Sequence, residues 1–372
     1  MKDDFNIRIL YGQKEPDEKE AAHLIKDTEG ISFKKIPALR KSINFFRDIK
    51  AYRQLSKEIK AAGCHIVHTH GSKSGFLGRL AAHKNNVPCI VHTFHGHVFH
   101  SYYNAFISAC IIRFEKWMGR FTTKVIAIST QQGKELTDVY KIVPAEKLAV
   151  IHLGIDGAQF DENKNIDEAS IKHIFQSQQN TVAIGIIGRM VAIKNFELFA
   201  TITEKILVSP AGSSVKFFII GDGEQKEKVQ KNLSARNIQW CDAENYYGDA
   251  RVIFTSWLSS VNSVLKELDI IMLTSRNEGT PLSLIEAQYC GKPVIASDAG
   301  GVRDTFINNE TGFLIPQNDA KTFVDKLSLL IKDKVLRESM GKRGAAFAQT
   351  KFSKAAEVEN IKQLYNNCKS GN

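Results

Sequence analysis

Ile270-Ile271-Met272-Leu273 is an unbroken apolar run. After Thr274-Ser275-Arg276 comes Asn277-Glu278-Gly279-Thr280-Pro281-Leu282-Ser283-Leu284-Ile285-Glu286-Ala287. The order reads as a buried strand, a tight turn and a helix start, because Gly279 and Pro281 suit a turn and a first helical position. Backbone amides at such a start form an anion site. Glu286 falls about one turn inside the helix. A carboxylate there does not suit a phosphate, but it suits hydroxyls such as those of a ribose. Glu278, at the strand end, suits sugar hydroxyls. The alternative is an ordinary helix start with acids favoured by the macrodipole.

The same strand-then-loop pattern recurs upstream. Residues 184–187 lead into Gly188-Arg189-Met190-Val191-Ala192-Ile193-Lys194-Asn195. Arg189 offers a planar fork and Lys194 a point charge, and on one loop the two can converge on a diphosphate. As a bare pair they are equally two solvated surface cations. Ile219-Ile220-Gly221-Asp222-Gly223-Glu224 is a third strand-to-turn junction, and alone it reads as a plain tight turn.

Working outward, strand-like runs at 182–187, 215–220, 252–254, 270–273, 293–296 and 312–314 alternate with helical patterns. So do runs at 6–10, 66–69, 89–93, 125–128 and 148–152, with helical stretches such as 39–62 and 104–120. Strands spaced by helices predict parallel sheets covered on both faces. Two such series imply two doubly wound domains, since 372 residues exceed one ordinary core. Residues 1–160 form the first, 161–350 the second, and 351–372 a final amphipathic helix.

Composition narrows the classes. A hydrophobic share of 43% and a charged share of 24% are those of a globular protein. Six scattered cysteines without a C-x-x-C pair argue against a zinc site and a disulfide framework. No apolar stretch is long enough to span a bilayer, and the acidic start is unlike a secretion signal, so the expected location is cytoplasmic. Of the net charge of +10, residues 1–160 carry 24 Lys+Arg against 15 Asp+Glu. That asymmetry points to an anionic partner of the first half. No nucleic-acid motif accompanies it, so nucleic acid is not expected.

The first half also carries a histidine cluster. His68 and His70 end one strand, and His92, His95, His97 and His100 surround the end of the next. At the carboxyl edge of a parallel sheet, His95 and His97 suit polar contact with a ligand. A metal site is the alternative, although no carboxylate or thiol completes it. For His65, His68 and His92 the plain reading is a satisfied core histidine. Ser72-Lys73-Ser74-Gly75 follows as an anion-friendly helix start, or one merely capped by a serine. Tyr102 lies in the aromatic patch 99–106, which suits either core or an apolar acceptor tail. Leu39, Ile43, Phe46, Ile49, Tyr52, Leu55 and Ile59 form an apolar stripe expected to pack on the sheet. Arg47, Lys50, Arg53, Lys57 and Lys60 beside it either touch anionic lipid or are solvated.

Glu278 and Glu286, separated by seven residues and downstream of Gly188-Arg189 and Lys194, resemble the retaining glycosyltransferases of family 4, with their GT-B fold of two facing Rossmann-like domains. Pro293-Val294-Ile295-Ala296-Ser297-Asp298-Ala299-Gly300-Gly301 and Glu310-Thr311-Gly312-Phe313-Leu314 resemble the family too. His68-Thr69-His70 with Lys73, and His92-Thr93-Phe94-His95-Gly96-His97, resemble its bacterial members that build surface polysaccharides.

The resemblance implies a set of roles. Arg189 and Lys194 hold the donor diphosphate, and Glu286 holds the nucleotide ribose. Glu278 with Gly279, Thr280, Pro281 and Leu282 holds the transferred sugar and a phosphate, and Gly188 opens the cationic loop. His95 joins Glu278, Arg189 and Lys194 in the catalytic set. His70, Lys73, His97 and Tyr102 fall on the acceptor side. The co-substrate is a nucleotide-diphosphate sugar, expected to be a UDP-sugar, and the acceptor is lipid-linked or saccharide. Anionic membrane at the inner face of the plasma membrane is the expected surface partner. Retention without an evident carboxylate nucleophile implies front-face attack. No D-x-D follows a strand, so no divalent metal or other cofactor is expected. Against the family pattern, residues 6–10 resemble the second strand, so the first domain is expected to lack its first strand, loop and helix. A nucleotide-sugar epimerase or hydrolase on the same fold, or a truncated non-catalytic paralogue, are the competing readings.

Overall fold

The computed structural model describes residues 1, 3–14, 30–96, 105–160, 181–258 and 261–370. The chain divides into two compact units, Met1–His152 with Glu357–Asn372, and Leu153–Ala356. The change falls before residue 160 for a local reason. Ile155 donates its amide to Phe352 O at 2.7 Å, Lys354 donates back to Ile155 O at 3.1 Å, and Phe160 stacks on Tyr289. Those bonds tie the segment to the second unit.

The second unit is a seven-stranded sheet. Its strands are β7 (Val182–Ile187), β8 (Val215–Ile220), β9 (Trp240–Asp242), β10 (Val252–Ser256), β11 (Ile270–Leu273), β12 (Val294–Ser297) and β13 (Gly312–Ile315). All the pairings are parallel, in the order β13-β12-β11-β7-β8-β10-β9. Both faces are buried, as parallel strands require. Ile184, Ile186, Phe217, Ile219 and Met272 face one helical layer. Ala183, Ile187, Phe218, Ile220 and Leu273 face the other. The chain starts at β7, winds out through β8, then returns to place β11 on the other side of β7. That reversal opens a crevice at the carboxyl ends of β7 and β11, where ligands bind in doubly wound sheets.

The first unit contains β1 (Ile7–Gly12) paired with β2 (Ile31–Ile36), and a four-stranded sheet of β3 (Ile66–His70), β4 (Cys89–Phe94), β5 (Lys124–Ala127) and β6 (Leu148–Val150). Both sheets are parallel. Helix Phe45–Ala62 begins at the cap of Asn44, whose side chain accepts from Arg47 N, and ends at Gly63 in the left-handed region. Its apolar stripe packs only in part. Leu55 and Ile59 are buried, but Ile43 and Phe46 are 91% and 83% exposed, because they precede or open the helix beyond the reach of the sheet. The final helix, Lys354–Ser370, brings Leu364 and Tyr365 onto Cys89, Val91, Ile126 and Ile151.

Two strands were not expected from sequence, β2 and β9. The segment from 242 to 251 is anchored by Lys216, whose Nζ donates to Tyr246 Oη at 2.6 Å and to Gly248 O at 3.0 Å.

Candidate active site

The loops after β7 and β11 are bonded to each other. Arg276 N donates to Ile193 O at 2.8 Å, and Thr274 Oγ1 donates to Lys194 O at 2.9 Å. Arg276 also reaches Asn195 Oδ1 at 3.2 Å. These bonds bring Lys194 and Glu278 together. Lys194 Nζ donates to Glu278 Oε1 at 2.7 Å, and Ser275 Oγ donates to the same oxygen at 2.5 Å. The sequence singled out both partners of the ion pair but not Ser275.

Glycines allow this closeness. Gly188 has φ of 143°, and a side chain there would meet the end of Lys194 at 3.4 Å. Gly221 has φ of 136°, and a Cβ would sit 2.2 Å from Gly188 O. At Gly223 it would sit 2.4 Å from Met190 O. Met190 N donates to Asp222 O at 2.9 Å, and Gln225 N donates to Met190 O at 3.0 Å. The turn at 221–223 is therefore more than a plain tight turn. It is the bed on which the cationic loop lies. Gly300 does the same for Glu278, since a Cβ would meet Glu278 O at 2.2 Å, and Gly301 N donates to that oxygen at 2.9 Å.

Arg189 stands apart from Lys194 in environment. It is 69% exposed and pairs with Glu224 at 3.3 Å. Glu224, the last residue of the glycine turn, was legible as part of that turn but not as a partner of Arg189.

Helix Leu282–Tyr289 starts with no side-chain cap, although Leu284 N donates to Pro281 O at 3.1 Å, and an uncapped helix start favours an anion. Pro281 is the residue just before the helix rather than its first, and it is buried, whereas Leu282 is 41% exposed. Gly279 and Thr280 lie half-buried in the turn. Glu286 is half-buried, and burial raises its carboxyl above the ordinary range. No hydrogen bond or ion pair engages it among the described residues. A carboxylate without a partner beside an uncapped helix start fits a hydroxyl-bearing ligand.

The first unit has its own polar cluster. His70 Nδ1 and His95 Nε2 share a hydrogen bond of 2.9 Å. His68 bonds Tyr365 Oη through Nδ1 at 2.6 Å and Thr93 Oγ1 through Nε2 at 2.7 Å, and its ring lies 4.3 Å from that of His70. His92 is satisfied by Thr69 Oγ1 at 2.9 Å. Burial pushes His68 down to about 3, with His70 and His95 adding to the effect. Burial and His95 push His70 down to about 4, opposed by Glu357. His95 is lowered by burial too. Near neutral pH the ladder is uncharged and offers hydrogen bonds, not charge. Among the described residues no group of three or more His, Cys, Asp or Glu is arranged to hold a metal ion.

Other expected residues fall elsewhere. Lys73 is held by Asp48 at 2.5 Å and by Ser42 O at 2.6 Å. No side chain caps helix Ser72–Lys84, and Ser74 Oγ donates back to His70 O. His65 is exposed rather than core, because it precedes β3. His97 and Tyr102 lie outside the described residues. Tyr365 went unnoticed, since nothing local links it to a histidine 297 residues away.

Residues 3–159 match the model of Glycosyltransferase Family 4, and residues 167–347 match that of Glycosyl transferases group 1. The chain is 31% identical over 331 residues to the Escherichia coli UDP-Gal:alpha-D-GlcNAc-diphosphoundecaprenol alpha-1,3-galactosyltransferase, covering 89% of this chain and 82% of that protein. It is 27% identical to a capsular polysaccharide biosynthesis glycosyltransferase of Staphylococcus aureus, over 88% of this chain and 83% of the relative. Among solved structures it resembles an Anabaena protein crystallised with UDP, at a TM-score of 0.75 and 18% identity, covering 97% and 92% of the two chains. Matched along both halves and sharing this fold, the chain belongs to the GT-B glycosyltransferases, family 4 in its first half and group 1 in its second.

Proposed function

We propose that the protein transfers a sugar, with retention, from a UDP-sugar to a lipid-linked or saccharide acceptor in the building of a cell-surface polysaccharide. The observation that carries this is the pairing of Lys194 with Glu278 at 2.7 Å, together with Glu286 of helix Leu282–Tyr289, whose carboxylate has no partner among the described residues. One group suits diphosphate, one the sugar and one the ribose. The relative named for UDP-Gal and a diphosphoundecaprenol acceptor supports the same reading.

In the proposed reaction the acceptor hydroxyl attacks the anomeric carbon on the face the nucleotide leaves. The bond from that carbon to the diphosphate oxygen breaks as the new glycosidic bond forms. The acceptor's proton passes to the departing phosphate. Arg189 and Lys194 stabilise the charge that gathers on the diphosphate. Glu278, with Gly279, Thr280, Pro281 and Leu282, holds the sugar and a phosphate oxygen, and Glu286 takes the ribose. His70 and His95 serve the acceptor and transferred sugar as neutral hydrogen-bonding groups. No divalent metal is needed, so turnover is expected to persist in a chelator. The first unit contacts the anionic inner face of the plasma membrane. No helix among the described residues is long and apolar enough to cross it.

A thermal-shift panel of nucleotide sugars tests the donor assignment. A UDP-sugar is expected to raise the melting temperature of the parent more than that of Arg189→Ala at the same concentration. Equal shifts in both, or a shift with purine nucleotide sugars alone, would count against it.

A further inference from the structure

Helix Ala105–Phe121 is in part inside out. A helix on a globular unit normally turns apolar residues inward and charges outward. Here Glu115, 7% exposed, faces inward and accepts from the fully buried Arg79 at 3.0 and 2.7 Å. Outward stand Phe106, Ile107, Phe114 and Trp117, at 77%, 41%, 37% and 44% exposure.

The aromatic rings form a continuous surface track. Phe76 meets Phe114 at 4.6 Å, Phe114 meets Trp117 at 5.8 Å, Trp117 meets Phe121 at 5.4 Å, and Phe121 stacks on His83 at 4.4 Å. Arg113, Lys116 and Arg120 are exposed along the same helix, whose one acid is the buried Glu115. A second apolar group, Phe45 and Phe46, opens helix Phe45–Ala62. Asp48 of that helix pairs at 2.5 Å with Lys73, one turn before Phe76. Single exposed apolar residues are ordinary, but a contiguous track is not.

Charge decides what covers it. Two copies of this face would oppose three cations with three cations and no exposed acid, which disfavours self-association. Phe and Trp interleaved with Arg and Lys match the boundary between headgroups and acyl chains. We propose that helix Ala105–Phe121 lies in the interface of an anionic lipid bilayer, with Phe106, Phe114 and Trp117 entering the acyl boundary and Arg113, Lys116 and Arg120 meeting lipid phosphates. This rests on the membrane contact proposed above and moves it from the basic stripe of helix Phe45–Ala62 to a different helix.

The test is flotation of the full chain, without donor, on vesicles of phosphatidylcholine alone or mixed with phosphatidylglycerol. The parent is expected to float with the mixed vesicles only. Phe106→Ser/Phe114→Ser/Trp117→Ser is expected to lose at least about tenfold in partition, with an unchanged melting curve. Phe106→Ser alone, at an open position, keeps the test valid should the triple variant not fold, and is expected to lose about threefold. Lys50→Ser/Arg53→Ser/Lys57→Ser/Lys60→Ser is expected to retain most of the binding. Loss in that variant alone would overturn the assignment to this helix while leaving membrane contact standing. Parent that floats with neither vesicle would overturn both. Concentration-dependent dimers abolished by the aromatic changes, with flotation unaffected, would assign the face to a second copy instead.

Discussion

Lys194 Nζ sits 2.7 Å from Glu278 Oε1, with both side chains largely withdrawn from water at 17% and 13% exposure. The pair joins the ends of two adjacent strands, so it is a structural tie as well as a chemical group. In Lys194→Ala the Glu278 carboxylate keeps only Ser275, and unfolding stability is expected to fall by about 1–3 kcal/mol. With the charge on the leaving diphosphate no longer offset, kcat is expected to fall roughly 10²–10³-fold. Steady-state kinetics beside a denaturant titration read both. A variant with parental kcat would remove Lys194 from the chemistry.

Arg189 behaves differently because it is 69% exposed. Arg189→Ala is expected to leave stability within about 0.5 kcal/mol of the parent. Donor affinity should weaken roughly tenfold. In the proposed donor contact its partner Glu224 would compete with the diphosphate, so Glu224→Gln is expected to tighten donor binding by about two- to threefold. Calorimetric titration with the UDP-sugar distinguishes these. Weaker binding in Glu224→Gln would mean that Glu224 orients Arg189 rather than restraining it.

Glu286 supplies a pH signature. Burial raises its carboxyl above the ordinary value of 4.5, so in the fold the proton is held more tightly than in the unfolded chain. Its favourable contribution is present below that value and is lost as pH rises through the raised folded value. Glu286→Gln, which has no charge to desolvate, is expected to match the parent in acid and exceed it in melting temperature near neutral pH. The same variant is expected to bind donor more weakly. Parallel melting curves across pH 4–8 would refute the first half of this statement.

The histidine ladder gives the opposite slope. His68 and His70, held down to about 3 and about 4, stay neutral in the fold where the unfolded chain is protonated. Stability is therefore expected to fall as pH drops from 6.5 towards 4. Replacing His70 by Gln should flatten that descent, as seen by circular dichroism. An unchanged slope would place the acid sensitivity elsewhere.

Gly221→Ala tests the bed beneath the cationic loop. The added carbon would lie 2.2 Å from Gly188 O at a φ of 136°, so the backbone must move. A loss of about 2–4 kcal/mol is expected, with donor binding impaired beyond that of a distant variant of equal stability. Differential scanning calorimetry with and without UDP measures both.

Much of the second unit was readable because a parallel strand buried on both faces is written as a continuous apolar run. Residues 182–187, 215–220 and 270–273 are such runs, and the structure gives β7, β8 and β11 these bounds. β2 was not readable, since Lys34-Lys35 and its alternating exposure look like loop, and β9 has three residues at a sheet edge. Lys194 and Glu278 stood out because each lies in a loop that follows a strand, and the structure pairs them. Their surroundings did not. Ser275 is an unremarkable turn residue, and the need for Gly221 exists only once Gly188 lies against it. The stripe through Ile43 and Phe46 misled because periodicity shows which residues share a helix face but not where the covering sheet stops.

The first unit is assembled from both ends of the polypeptide, Met1–His152 and Glu357–Asn372, while Leu153–Ala356 is continuous. Order of synthesis follows from this. The continuous unit carries every strand of its seven-stranded sheet in one stretch of chain. The other cannot seat Leu364 on Cys89 and Val91, nor give His68 its bond to Tyr365, until residues 357–370 have been made. A chain cut before residue 357 therefore loses the bond from His68 to Tyr365, keeping the continuous unit entire and leaving the other unfinished.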